Sequence, residues 1–221
     1  MVSKDIERRN GLKQNLIGIL QDIYPEIHSS VLDNFAEDLA NLAQKNKSSD
    51  GFSDRALWSE DDVLLIAYPD NINSQTTSPL QSLQKFLTEY FHDTISIVHI
   101  LPFFPSTGDD GFSVQNYFEV DEKWGDWSDV GEFVKNYTLM ADVVLNHCSV
   151  KNAWFIGYQN GDPVYENFFC TVPEDFDISN IVRPRSSSLK QKFLVNDEER
   201  DIWCTFSGDQ ADLNFKNPKV L

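Results

Sequence analysis

The stretch ADVVLNHCS, Ala141 to Ser149, decides how the chain is read. Val143, Val144 and Leu145 stand in a row and give way at once to Asn146 and His147. An apolar run bounded by polar residues reads as a buried strand. In α/β proteins, chemistry collects at the carboxyl ends of such parallel strands. On this stretch alone two readings stand open: a strand that delivers Asn146 and His147 to a site, or a strand followed by an ordinary polar turn.

The residues on its N-terminal side place it in a series of strands and helices. Val63 to Tyr68 (VLLIAY) is a short apolar run, and Ile95 to Leu101 (ISIVHIL) is a second, stopped by Pro102. Between them Ser78-Pro79 opens a helix whose Leu80, Leu83, Phe86, Leu87 and Tyr90 share one face. Ser128 to Tyr137 reads as a short helix with Ser128 as N-cap, and the stretch from Leu139 to His147 as the third strand. Strand, helix, strand, helix, strand, with near-continuous apolar strands, predicts a parallel sheet built of βα units.

Farther out the patterns change. Residues 4–46 carry helical spacing through Leu12, Leu16, Ile19, Leu20 and Ile23, break at Tyr24-Pro25, and resume through Val31, Leu32, Phe35, Leu39 and Leu42. Lys45 to Asp54 is polar and reads as a linker. After His147 no period holds until residue 208, so this region is a functional insertion or a subdomain. Within it Phe193–Val195 and Ile202–Cys204 read as two antiparallel strands, with Asn196-Asp197-Glu198 in the turn. Asn217-Pro218 reads as a helix start.

Composition narrows the function. A net charge of −17 over 221 residues argues against nucleic acid or an anionic membrane as partner and fits a soluble cytoplasmic protein. The N-terminus has no apolar core of a secretory signal, and no run approaches membrane-spanning length. Cys148, Cys170 and Cys204 are odd in number and widely spaced, which gives neither a disulfide framework nor a zinc pattern. Cys148 next to His147 is not thereby a nucleophile, because such pairs are made in space.

Three polar clusters follow the predicted strands: Pro102–Trp127, Asn146-His147, and DQADLN, Asp209 to Asn214. Taken with HILPFF (His99–Phe104), DDGFSV…VDEKWGDWSDV (Asp109–Val130), DVVLNH (Asp142–His147), GDPVYENFF (Gly161–Phe169) and RPR (Arg183–Arg185), the chain from about Asp62 onward resembles the α-amylase superfamily of glycoside hydrolases and transglycosidases. Within it, the DDGF, GDW and RPR pieces resemble the sucrose-phosphorylase branch, which includes the glucosylglycerate and sucrose-6-phosphate phosphorylases.

The resemblance implies a (β/α)8 barrel of which only the first three strands and a long third-loop subdomain are present, preceded by a helical extension. The divisions would be 1–55 for the extension and linker, 56–147 for three βα units, and 148–221 for the third-loop subdomain. It implies a glucosyl site made by Asp109, Phe112, His147 and Gln210, and inorganic phosphate held by Arg183 and Arg185. The chemistry suits these roles. Neutral imidazole both donates to and accepts from a hydroxyl, and the guanidinium fork gives phosphate two parallel hydrogen bonds. Asp142 is expected to brace the strand end rather than touch substrate. No cofactor and no metal are expected: Asn146 stands where the α-amylases bind calcium, without the carboxylate-rich loop that an oxygen-coordinated ion needs.

Retaining chemistry at a glycosidic bond needs two carboxyl groups about 5–5.5 Å apart. In the family the nucleophile, the acid/base and a further essential aspartate follow strands four, five and seven, and none of them is assignable within 221 residues. The expectation is therefore the N-terminal part of a retaining α-glucoside phosphorylase, inactive alone. The alternatives are an α-glucosidase or transglucosidase of the same superfamily, and a truncated non-catalytic carbohydrate-binding chain.

Overall fold

The computed structural model describes residues 2–45, 58–173, 175–183 and 185–220. The predicted linker lies outside the described residues from position 46 on. The chain divides into two units, Met1–Leu57 and Trp58–Leu221.

The first unit is an antiparallel helical pair. Helix α1, Val2–Ile23, ends at the break before Pro25, and α2 runs Ser29–Lys45. Leu20, Tyr24, Leu32 and Ala36 close the seam, with the small Ala36 and Ala40 letting the backbones approach. Lys13 reaches Asp33 at 2.9 Å and Glu37 at 3.1 Å across the pair. Both helices closely follow the range that the apolar spacing predicts.

The second unit begins with the expected alternation. Strand β1 is Leu64–Ala67, helix α3 Pro79–Tyr90, strand β2 Ile97–Ile100, helix α4 Trp127–Phe133, and strand β3 Thr138–Ala141. The strands are parallel in the order β1-β2-β3, with Leu65, Val98 and Leu139 in one register row and Ala67, Ile100 and Ala141 in the next. That face carries the core, where Leu80, Leu83 and Leu87 of α3 and Val130 and Phe133 of α4 pack with Val98, Ile100 and Phe103. The other rows expose Leu64, Ile66 and Met140 among the described residues.

Two caps set the helices. Ser78 Oγ accepts from Gln81 N at 3.2 Å, with Pro79 at the first position of α3. For α4 the cap is Asp126, not Ser128. The Asp126 carboxylate accepts from Ser128 N at 2.7 Å and Asp129 N at 3.2 Å, and Asp129 Oδ2 accepts from Asp126 N at 3.1 Å. This reciprocal box satisfies more donors than a serine two residues later would. Asp129 also takes Ser78 Oγ at 3.0 Å and Gln81 Nε2 at 2.7 Å, so the starts of α3 and α4 are tied together.

The opening stretch does not fold as one strand. β3 stops at Ala141; Val143 is 76% and Leu145 60% exposed, so the predicted burial of the VVL run is corrected. The chain leaves the sheet at Asp142, whose carboxylate meets His99 Nε2 at 2.8 Å, and no described strand pairs with the outer edge of β3. His147 instead belongs to a separate strand.

That strand, β4 (His147–Ser149), opens the second layer of the unit. Helix α5 is Ala153–Gln159, and strands β5, β6, β7 and β8 are Thr171–Val172, Lys190–Val195, Glu198–Trp203 and Gln210–Asp212. β4 pairs antiparallel with β8, and β5-β7-β6 form an antiparallel sheet. The β6–β7 hairpin turns at Asn196 and Asp197, with φ of 50° and 63°, the left-handed pair that a two-residue turn requires. Phe155, Tyr158, Phe169, Ile202 and Ala211 fill this second core. Pro218–Val220 makes only one 3₁₀ turn. Among the described residues no helix is long and apolar enough to cross a membrane.

Candidate functional site

The pairing of β4 with β8 brings the predicted residues together. Its register sets His147 opposite Asp212 and Ser149 opposite Gln210. His147 is 4% exposed and Gln210 fully buried. Asp109 arrives on a closed loop whose ends bond to each other, Thr107 N to Ser113 O at 3.0 Å and Ser113 N to Gly108 O at 3.2 Å. Within it Asp109 and Asp110 both have φ of 51° and Gly111 has φ of 99°. Aspartate tolerates the left-handed region better than most residues, and strained residues held by their surroundings are typical of ligand sites.

The contacts are direct. Gln210 Nε2 donates to Asp109 Oδ2 at 3.1 Å, and Arg185 Nη1 stands 3.5 Å from Asp109 Oδ1. His147 Nε2 lies 3.1 Å from the Phe112 carbonyl and 3.1 Å from Gln210 Nε2. One ring nitrogen cannot donate and accept at once, so it serves the carbonyl as donor or the amide as acceptor. Burial holds the His147 pKa below its ordinary value, partly opposed by the Phe112 carbonyl and by the charges of Asp212, Asp109 and Asp209. This favours the neutral form of the imidazole.

These groups border a cleft of about 710 Å³, the size range of small-molecule sites. Asp109, Phe112, His147 and Arg185 line it, together with Asp142 through Asn146. Gln210 sits behind Asp109 and His147 as their hydrogen-bond partner. Arg183 is not brought in. Its guanidinium donates to the carbonyls of Thr205 and Ser187, pinning the loop instead of facing the cleft. Asp142 lines the cleft, but its carboxylate is engaged by His99.

Sequence reasoning missed two walls. Tyr68 directly follows β1 and could have been found by the same strand-end rule that pointed to His147. Phe206 packs its ring on His147 at 4.9 Å and under Arg185 at 6.0 Å, and it left no signal in an aperiodic stretch. Cys148 is fully buried, with its thiol pushed well up by burial, which leaves it inert.

Residues 84–221 match the family described as alpha amylase, catalytic domain. The chain belongs to that family. Among the curated relatives, a glucosylglycerate phosphorylase from Allomeiothermus silvanus is 40% identical over 210 residues, covering 95% of this chain and 37% of the relative. One from Spirochaeta thermophila is 47% identical over 160 residues, 72% of this chain and 27% of its own length. The crystal structure of sucrose 6F-phosphate phosphorylase from Thermoanaerobacter thermosaccharolyticum superposes with a TM-score of 0.66 at 30% identity, covering 77% of this chain and 37% of that one. The α/β fold is therefore a partial, barrel-like version of the α-amylase catalytic domain. The chain spans about a third of the length of the curated relatives it matches.

Proposed function

We propose that the chain forms the sugar-binding wall of a retaining α-glucoside phosphorylase. The observation that carries this is that Asp109, His147 and Arg185 line one cleft, with Gln210 bonded to Asp109 and His147 from behind. A carboxylate, a neutral imidazole and a ring-lined wall are what a glucosyl unit needs: acceptors for its hydroxyls, a two-way partner, and apolar surface for its C–H faces. Arg185 offers the guanidinium fork for an inorganic phosphate that a chain of charge −17 would otherwise repel. The names of the phosphorylase relatives support the same reading.

In this reading an aspartate attacks C1 of the α-glucoside as the glycosidic C–O bond breaks. An acid/base carboxylic acid protonates the departing oxygen. A phosphate oxygen then displaces the aspartate from C1, giving α-glucose 1-phosphate with net retention. In this reading the chain alone is inactive and supplies the donor-side wall and one phosphate ligand. The barrel is read as its first three βα units, 56–147, and its third-loop subdomain, 148–221, behind a helical extension, 1–55. The protein is read as cytoplasmic. Glucosylglycerate is the donor favoured by the relatives.

The test is titration of the isotope-labelled chain, followed by NMR. Methyl α-D-glucopyranoside should move the ring signals of His147, and inorganic phosphate the guanidinium signal of Arg185. A glucoside that moves no cleft signal would overturn the sugar-site reading, and release of glucose 1-phosphate from glucosylglycerate and phosphate by this chain alone would overturn its inactivity. One observation favours a second reading, an α-glucosidase or transglucosidase. With Arg183 bound to carbonyls, only one of the two loop arginines faces the cleft. A phosphate titration without response at Arg185 would select it.

A further inference from the structure

The loop that presents Asp109 is held by a second aspartate that contributes nothing to the cleft wall. Asp209 Oδ2 accepts from Ser113 Oγ at 2.8 Å and from Thr107 Oγ1 at 3.1 Å, the two residues that close the loop. Its other oxygen accepts from Ser207 Oγ, and that hydroxyl also stands 2.7 Å from Gln210 Oε1. Thr107 Oγ1 lies 2.7 Å from Ser149 Oγ in β4, two residues beyond His147. Ser113 and Ser149 are fully buried.

We propose that Asp209 is a positioning residue: its carboxylate clamps the 107–113 loop to β4 and to the 207–210 segment, and so fixes the Asp109 carboxylate beside Gln210 and His147. What Asp109 is positioned for rests on the sugar-site reading above; the clamp itself does not.

Three points carry the inference. An ionised carboxylate only accepts, so it orders every hydroxyl that meets it as a donor, and a fully ordered network is rigid. Desolvation alone would raise the Asp209 pKa. The Ser207, Ser113 and Thr107 hydroxyls outweigh it and hold the group below the ordinary carboxylate range, so the charge persists at neutral pH. Three consecutive residues, Asp109 to Gly111, sit at positive φ, a conformation that persists only where the surroundings over-determine it. Asp209 grips the loop at both ends, through Thr107 and Ser113, and takes the Ser207 hydroxyl as a third donor. No other carboxylate among the described residues has hydrogen bonds to both ends of that loop.

The experiment uses the whole 221-residue chain, ¹⁵N-labelled, with Asp209→Asn. The amide keeps the shape but offers one acceptor atom where the carboxylate offers two, so a hydroxyl loses its partner. Amide exchange at Gly111, Phe112 and Ser113, all bonded within the loop, should quicken roughly tenfold or more, the scale of one lost charge-assisted hydrogen bond. The His147 ring nitrogens and the Gln210 side-chain amide should shift, and with four histidines in the chain the ring signals are assignable. Exchange in β2, whose backbone pairs with β1 and β3 and not with this network, should stay as it was.

Unmoved His147 and Gln210 signals with unchanged loop exchange would overturn the proposal. So would exchange that quickens equally in β2, which would mark Asp209 as a general support of the fold. If Asp209→Asn fails to fold, Ser113→Ala removes a single donor and decides in its place, with the same signals read in the same way. Methyl α-D-glucopyranoside on the unmodified chain separates this outcome from the sugar-site reading. A glucoside without effect sinks that reading and leaves the clamp measurable.

Discussion

Gly111→Ala tests the loop that presents Asp109. Gly111 has φ of 99°, and a Cβ built there would lie 2.7 Å from the Pro102 carbonyl oxygen and 3.0 Å from Pro102 Cβ. Both neighbours belong to the rigid end of the second strand's exit, not to the tip of a flexible side chain, so the loop itself must move. A positive φ costs an L-residue about 1–2 kcal/mol, and forcing a methyl into a filled site costs about 1–3 kcal/mol more. Restricting the unfolded chain returns about 0.4–1 kcal/mol. The net loss is about 1–5 kcal/mol. In a domain of this size each kcal/mol lowers Tm by about 2–4 °C, so the midpoint should fall by roughly 2–20 °C. Thermal unfolding followed by circular dichroism reads it, with Gly131→Ala as control. Gly131 lies inside α4 with nothing within 4 Å of its Cβ position, and alanine there should stabilise by about 0.5–1 kcal/mol. A Gly111→Ala midpoint equal to the unmodified protein's would refute the loop conformation and the argument for a preformed Asp109.

Three other outcomes follow from the geometry. Arg183→Ala should cost about 1–3 kcal/mol, because two carbonyls lose a charged donor, whereas Arg185→Ala, whose half-exposed ion pair with Asp109 is 3.5 Å long, should change stability by about 0–1 kcal/mol; equal effects in denaturant titrations would contradict the division of roles. The folded-state pKa of His147 lies below its ordinary 6.5, so the unfolded chain binds the proton more readily; its contribution to stability is full above 6.5 and is lost as pH falls from there through the lower folded-state value, and His147→Gln should flatten this part of the pH profile of Tm. Under native conditions a thiol reagent should modify Cys170 well before Cys148 and Cys204, which are fully buried, the Cys204 thiol being pushed up to about 12 by burial first and by Asp212 and Asp209 next; three thiols reacting at one rate would count against the packing of the second core.

Much of the architecture was legible because its signals are local. The Ser78-Pro79 start of α3, the 3.6-residue spacing of α1 and α2, and the two apolar runs that became β1 and β2 all act within one or two turns of chain. The hairpin at Asn196-Asp197 was visible for the same reason, since the turn itself selects residues that accept positive φ. Asp109, Phe112 and His147 could be named because their motifs carry a family resemblance, and all three line the cleft.

The rest depended on partners far apart in the chain. Whether Val143 and Leu145 are buried is decided by what packs on them, and the apolar run carries no record of that. His147 belongs to an antiparallel pair because β8, more than sixty residues later, supplies Gln210 to Asp212 as its edge. Arg183 and Arg185 are chemically identical and two positions apart, yet the fold turns one to carbonyls and the other to the cleft. Asp209 reads in the sequence as one more acidic residue among 35 carboxylates. Its role exists only once Thr107 and Ser113, about a hundred residues away, bring their hydroxyls within 3.1 Å. Helix periods, caps and turns are written in neighbouring residues, whereas a hydrogen bond across the fold is fixed by which loops close on each other, and that geometry leaves no periodic trace in the chain.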